Sequence, residues 1–172
     1  IMATALFITR TDLVKNTIIN GNVDTDKFIQ FINIAQDMHI QNFLGTDLYN
    51  KISDLIVAGT LTELANPDYY TLTKTYIQPM LIHFAMQDYL PFAAYEVKNG
   101  GVFKHRSENA ELPSKDEVDF LVQKYRTYAD FYTRRFIDYM DFNASTKFPE
   151  YYSNSNDDMY PDKEANWVGW VL

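Results

Sequence analysis

The stretch from Ser114 to Phe142 constrains the fold more than any other part of the chain. Ser114-Lys115-Asp116-Glu117 is a capping box, in which a serine hydroxyl and a glutamate three residues on satisfy each other's free backbone N–H groups. Behind it, Val118, Leu121, Tyr125, Tyr128, Tyr132, Phe136 and Tyr139 recur at spacings of three or four. That spacing places them on one face of a helix running to about Phe142, roughly 40 Å at ~1.5 Å per residue. A helix of that length with one aromatic face needs partners to cover it, so the rest of the chain must supply them.

The partners are legible upstream. Asp24 or Thr25 starts a second long helix, in which Phe28, Ile32, Ala35 and Met38 or His39 share a face that Phe31, Ile34, Phe43 and Leu44 widen. Gly45 is placed to end it in a left-handed conformation, and Thr46 to cap the next helix, which buries Leu48, Ile52, Leu55 and Ile56 and stops at Gly59. Pro67-Asp68 opens a third segment to about Leu90, with a kink or break expected at Pro79 because proline lacks a donor and clashes one turn back. Near the start, Ala5-Leu6-Phe7-Ile8 reads as a strand or a packed arm, and Thr11 or Asp12 as the cap of a brief helix ending near Asn20-Gly21. The expected fold class is mainly α: a helical bundle over 1–142, with the 115–142 helix against the 24–44 and 68–90 helices.

Between the last two helices the pattern changes. Phe92 to Val97 and Val102 to Lys104 flank Lys98-Asn99-Gly100-Gly101, a turn sequence suited to positive-φ residues. A β-hairpin or protruding loop is expected there. Val97, Asn99, Gly100, Gly101, Val102, Phe103 and Lys104 are its candidate contact residues, beside a local basic cluster at Lys104-His105-Arg106.

Residues 143–172 read as an extended C-terminal arm. The Ser/Asn/Asp-rich stretch through Asp158 cannot bury enough apolar area to offset its ordering entropy and is expected to act as a tether. Yet the arm carries Phe148, Tyr151, Tyr152, Tyr160 and both tryptophans. Trp167, Val168, Trp170, Val171 and Leu172 are the candidate anchors in a groove of another subunit, with the arm folding back on its own domain as the alternative.

Composition narrows function mostly by exclusion. A net charge of −8 argues against a general binder of nucleic-acid backbone or anionic membrane. The chain has no cysteine, which removes disulfides and thiolate metal sites, and no apolar run nears the ~18 residues of a membrane span. The chain lacks the layout of a secretion signal, so a soluble protein made in the cytosol is expected. Thirteen tyrosines in 172 residues suggest half-buried surfaces or subunit contacts. Asn154, Asn156 and Asp158 begin like a calcium loop, but Met159 and Ala165 stand where glycine and glutamate are required. His39, His83 and His105 do not share metal-ligand spacing, Asp138 and Asp141 sit beside Arg134 and Arg135 as ordinary surface pairs, and no phosphate loop or nucleophile motif appears. No catalytic residue, metal or cofactor is expected.

One order of features remains: a helix leading into Ile40-Gln41-Asn42-Phe43-Leu44-Gly45-Thr46-Asp47-Leu48-Tyr49-Asn50-Lys51-Ile52, then Tyr76-Ile77-Gln78-Pro79, then Asn99-Gly100-Gly101-Val102, then a Tyr-rich helix and a polar tail. From Thr11 to Phe142 this resembles the head-to-tail connector proteins of tailed bacteriophages, particularly versions from phages of Bacteroidetes, including the crAss-like group. The resemblance implies a helical structural protein of the virion, made in the bacterial cytoplasm and placed at the head–tail junction. It implies a closed homo-oligomeric ring of about twelve copies, with portal and tail or other ring proteins as partners and DNA at most passing through the lumen. The family has no catalytic residues to carry over. The competing expectation is a small helical binding or regulatory protein that grips one partner with its aromatic tail; an enzyme with an acidic helical site ranks last.

Overall fold

The computed structural model describes residues 5–19, 25–93, 95–98, 101–104 and 114–164. The fold is mainly α, a helical bundle with one β-hairpin. Its helices are α1 (Arg10–Asn16), α2 (Thr25–Ala35), α3 (Gln41–Leu44), α4 (Thr46–Val57), α5 (Pro67–Thr71), α6 (Gln78–Tyr89) and α7 (Lys115–Lys147). The hairpin pairs β1 (Tyr95–Lys98) with β2 (Gly101–Lys104).

Helix α6 is the centre of the molecule. It packs against α7 on one side and α2 on the other, so the two outer helices are held apart by it and not directly by each other. Met80, Leu81, Ala85 and Met86 are accordingly buried around most of its circumference. On α7 the buried face runs through Tyr125, Ala129, Phe136, Met140 and Ala144. Tyr76 stacks on Tyr139 with ring centroids 4.0 Å apart, and the Arg135 guanidinium covers the other partner of that stack, 5.2 Å from the Tyr76 ring centre. The Ser114–Glu117 capping box expected from sequence is present in full.

Two π turns correct the sequence-based register. α2 passes through a π turn at Gln36–Ile40 into α3. The extra residue rotates the inward face by about 100°, so Ile40, not Met38 or His39, completes the stripe. Ile40 is fully buried while Met38 is 63% exposed, and Ile34 is also out at 41%. The second π turn, Leu72–Ile77, lies just upstream of Pro79. The expected kink or break at proline is absorbed there: i→i+5 bonding relieves both the missing donor and the ring clash, and the helix continues to Tyr89.

The N-terminal apolar stretch is a packed arm and not a strand. Its backbone is held by two glutamine side chains. Gln36 accepts from the Phe7 N–H (2.8 Å) and donates to the Ala5 carbonyl (2.9 Å), and Gln78 donates to the Phe7 carbonyl (2.6 Å). Amide side chains thus replace a sheet partner, satisfying backbone groups that would otherwise be buried unpaired. Thr9, two residues before Thr11, caps α1 in a capping box with Asp12. Phe92, expected at the start of a strand, belongs instead to a 3₁₀ turn at Leu90–Phe92.

The end of the chain departs most from expectation. α7 continues past Phe142 to Lys147, and a 3₁₀ turn at Pro149–Tyr152 follows. Phe148 and Tyr151 are buried, Phe148 edge-on to Tyr69 at 5.3 Å. Residues 148–164 are therefore part of this domain and not a tether.

Candidate interaction surfaces

The junction between α3 and α4 is where the C-terminal segment docks. Gly45 adopts φ 74°, ψ 158°, a conformation close to glycine-only, rather than the left-handed helical geometry expected. A Cβ there would lie 2.7 Å from Cδ of Pro161, so glycine is needed twice over, for its torsion and for the close approach. Thr46 is the first residue of α4 and not its cap. Its N–H donates to the Met159 carbonyl (3.0 Å), and its hydroxyl accepts from the Met159 N–H (3.2 Å) and donates to Asp158 (2.9 Å). Residues 153–161 thus form a strap across the start of α4 and cap it in place of a side chain of the preceding turn.

Asp47 fixes the strap's other end. Its carboxylate accepts from the Ser153 hydroxyl (2.6 Å), the Ser155 N–H and hydroxyl (both 2.9 Å) and the Asn156 amide (3.1 Å). These donors, Ser153 foremost, hold the carboxyl below its ordinary pKa. Asn154 closes the turn on itself, accepting from the Asp158 N–H and donating to its carbonyl. The Ser/Asn/Asp composition that reads as a tether is a set of short donors matched to one carboxylate and one helix N-terminus. The available signal was an acid in the first turn of α4 with aromatic residues at 148 and 151; the composition of the stretch concealed it.

Two histidine environments are also assembled by the fold. His39 lies 3.3 Å from Asp88 and stacks on Phe84 at 4.0 Å. His83 sits among Tyr125, Tyr128 and Tyr132, with ring centroids 5.2–5.9 Å away. Its Nδ1 is buried without a hydrogen-bond partner, and burial pushes its pKa below the ordinary value. Beside it, Asp12, Asn16, Lys74, Gln78 and Tyr132 line a cleft of about 330 Å³. Among the described residues no grouping of His, Asp and Glu could hold a metal ion.

The hairpin is the other element the sequence singled out. Its register pairs Tyr95 with Lys104, Glu96 with Phe103, Val97 with Val102 and Lys98 with Gly101, placing Asn99 and Gly100 between the strands. Among the described residues the sheet has only these two strands. Tyr95 and Phe92 at its base are more than half solvent-exposed or nearly so, Phe92 lying 5.6 Å from Phe31. Asn99, Gly100 and the expected anchors Trp167, Val168, Trp170, Val171 and Leu172 lie outside the described residues.

A family of unknown function (DUF6712) matches residues 40–159. The chain belongs to this family. The DUF6712 region begins at the end of the first π turn and closes at Met159, so it contains both halves of the strap contact, Thr46-Asp47 and Ser153–Met159. It stops short of Trp167–Leu172. No curated protein and no solved structure matches the chain.

Proposed function

We propose that this chain is a structural subunit of a virion head-to-tail connector, an adaptor ring joining the portal to the tail. The observation that carries the reading is the hairpin. A two-stranded sheet is marginal in water by itself, and among the described residues β1 and β2 have no third strand beside them. Its outer edges offer backbone N–H and C=O groups to a strand of another chain. A rigid helical bundle holding such an element out is suited to assembly. The order of sequence features shared with phage connectors gives the partner: portal protein on one side, ring neighbours and tail proteins on the other. No membrane contact, cofactor or chemical step enters this reading.

The segment Trp167 to Leu172 supplies a second contact in this scheme, anchored in a neighbouring subunit. Because residues 148–164 belong to the domain, the truncation that isolates this role is after Glu164. Mixing the full chain with its portal protein should give rings seen by electron microscopy and a discrete high mass by mass photometry. Deleting Asn99 to Lys104, or truncating after Glu164, should leave helical circular dichroism unchanged and abolish ring formation. Wild-type assembly by both variants would refute the assignment of these contacts. A full chain that binds a single soluble partner and no portal would favour a helical binding protein instead.

A further inference from the structure

The cleft beside His83, about 330 Å³, lies at the small end of the size range of ligand sites. Three elements build it. Asp12 and Asn16 come from α1, Gln78 and His83 from α6, with Lys74 in the π turn before it, and Tyr132 from α7. Pro79 and Ile82 are the apolar part of the lining.

What the fold has already used decides what this cleft can still bind. Asn16 donates its amide N–H to the Asp12 carbonyl (2.6 Å), and Gln78 donates to the Phe7 carbonyl (2.6 Å). Both nitrogen ends are therefore held on backbone, and each amide is left with its oxygen. Asp12 receives the Thr9 N–H and hydroxyl on the same oxygen, Oδ2, both at 2.8 Å, which leaves Oδ1 unused. Three oxygens, one of them a carboxylate's, make this end of the cleft an acceptor.

The remaining polar groups are donors. Lys74 is exposed, and among the described residues neither it nor Asp12 has an ion-pair partner. His83 has its Nδ1 buried without a partner, so it meets the cleft with Nε2. An orphaned buried N–H is rarer than an orphaned acceptor, which assigns the proton of the neutral ring to Nε2. Stacking on Tyr132, centroids 5.2 Å apart, holds the ring in that orientation. No other charge intrudes: Arg10 faces a separate apolar pocket with Leu13 and Phe28, and Arg135 lies over the Tyr76 ring. A simple anion in the cleft would meet Asp12, and a simple amine would meet Lys74. Only a ligand carrying both charges satisfies both ends.

We propose that this cleft binds a small zwitterion with the chemistry of a free aliphatic α-amino acid, its ammonium on the oxygens of Asp12, Asn16 and Gln78 and its carboxylate on Lys74 and His83. The three N–H groups of the ammonium match the three oxygens, and the carboxylate accepts a charge-assisted bond from Lys74 and a neutral one from Nε2. Pro79 and Ile82 take the aliphatic side chain. For so small a ligand in an open cleft the dissociation constant is on the order of 0.1–1 mM. The site uses neither the hairpin nor Trp167–Leu172, so it stands or falls apart from the connector reading.

Leucine titrated into the full-length chain, followed by NMR at the His83 and Tyr132 rings, should give saturable shifts in that range. Its deaminated and decarboxylated relatives, 4-methylpentanoate and 3-methylbutylamine, each lack one charge and should bind at least about tenfold more weakly. Lys74→Glu should weaken leucine about tenfold or more and make 3-methylbutylamine the better ligand, a reversal that general loosening of the fold would not produce. Asp12→Asn keeps an oxygen for Thr9 and should bring 4-methylpentanoate level with leucine. Should that variant unfold, Lys74→Glu still decides, because the Lys74 side chain is exposed and without an ion-pair partner among the described residues. No saturable shift at His83 with leucine at about 20 mM, either relative binding the wild type as tightly as leucine does, or Lys74→Glu without a reversed preference would each overturn the proposal.

Discussion

Replacing Phe148 with alanine asks whether the segment beyond Phe142 holds the domain together or merely leaves it. Phe148 is fully buried, edge-on to Tyr69 and 6.4 Å from the Tyr139 ring. A phenylalanine buries ~150–250 Å², worth about 4–6 kcal/mol at ~25 cal/mol per Å². An extended-chain reference overstates this by roughly 10–40%, leaving about 3–5 kcal/mol, the range of measured Phe→Ala changes in cores. For a domain of this size that lowers Tm by roughly 6–20 °C, at about 2–4 °C per kcal/mol. Urea unfolding followed by circular dichroism measures it, with the slope unchanged so that the midpoint shift reads as stability. A tether would give a change within about 0.5 kcal/mol, the range of ordinary surface substitutions. A loss below about 1 kcal/mol would therefore refute the assignment of residues 148–164 to the core.

Gly45→Ala should cost about 1–3 kcal/mol from torsion alone and loosen the strap, seen as faster amide exchange at Thr46, because the new Cβ meets Pro161; equal exchange in mutant and wild type would count against the clash. Asp47 has a folded pKa below its ordinary 3.8, so its contribution is full above that value and is lost as pH falls through the lower folded one. Urea midpoints from pH 5 to pH 2 should fall more steeply for wild type than for Asp47→Asn. His83 works in the same direction for a different reason: burial lowers its pKa from 6.5, so the unfolded chain takes up the proton first and stability should drop as pH falls from 7 to 5. His83→Phe should flatten that dependence, and an unchanged slope would show that the folded protein accommodates the protonated ring as readily as the unfolded chain does.

What the sequence displayed well was periodicity tied to local caps. The Ser114 capping box, the stop at Gly59 and the hairpin between Tyr95 and Lys104 all follow from residues within a few positions of each other. The face of α7 was legible only in part: Tyr125 and Phe136 are buried as expected, but Tyr128 is 48% exposed, and the small residues Ala129, Thr133 and Ala144 take the inward positions against α6 and its neighbours. Failures came where a distant residue decides the outcome. Nothing near Gln36 announces a π turn; the turn places its amide on the Phe7 backbone, 29 residues away. Thr46 reads as a cap until Met159 supplies the carbonyl, and a run of Ser, Asn and Asp reads as solvated until Asp47 is opposite it. Composition describes what a segment can do in water, not what awaits it on the surface of its own fold.

The strap also sets a time at which this protein can finish folding. Thr46 and Asp47 leave the ribosome more than a hundred residues before Met159 and Ser155 do. At about 5–20 residues per second the start of α4 waits on the order of ten seconds with its first N–H and its carboxylate unmatched. During that wait the pocket later filled by Phe148 and Tyr151 stands open beside Tyr69. Closing so long a loop comes late because its entropy must be lost before any contact repays it. The nascent bundle is thus most exposed to unwanted association just before its last helix turns back, and the strap is the step that ends that exposure.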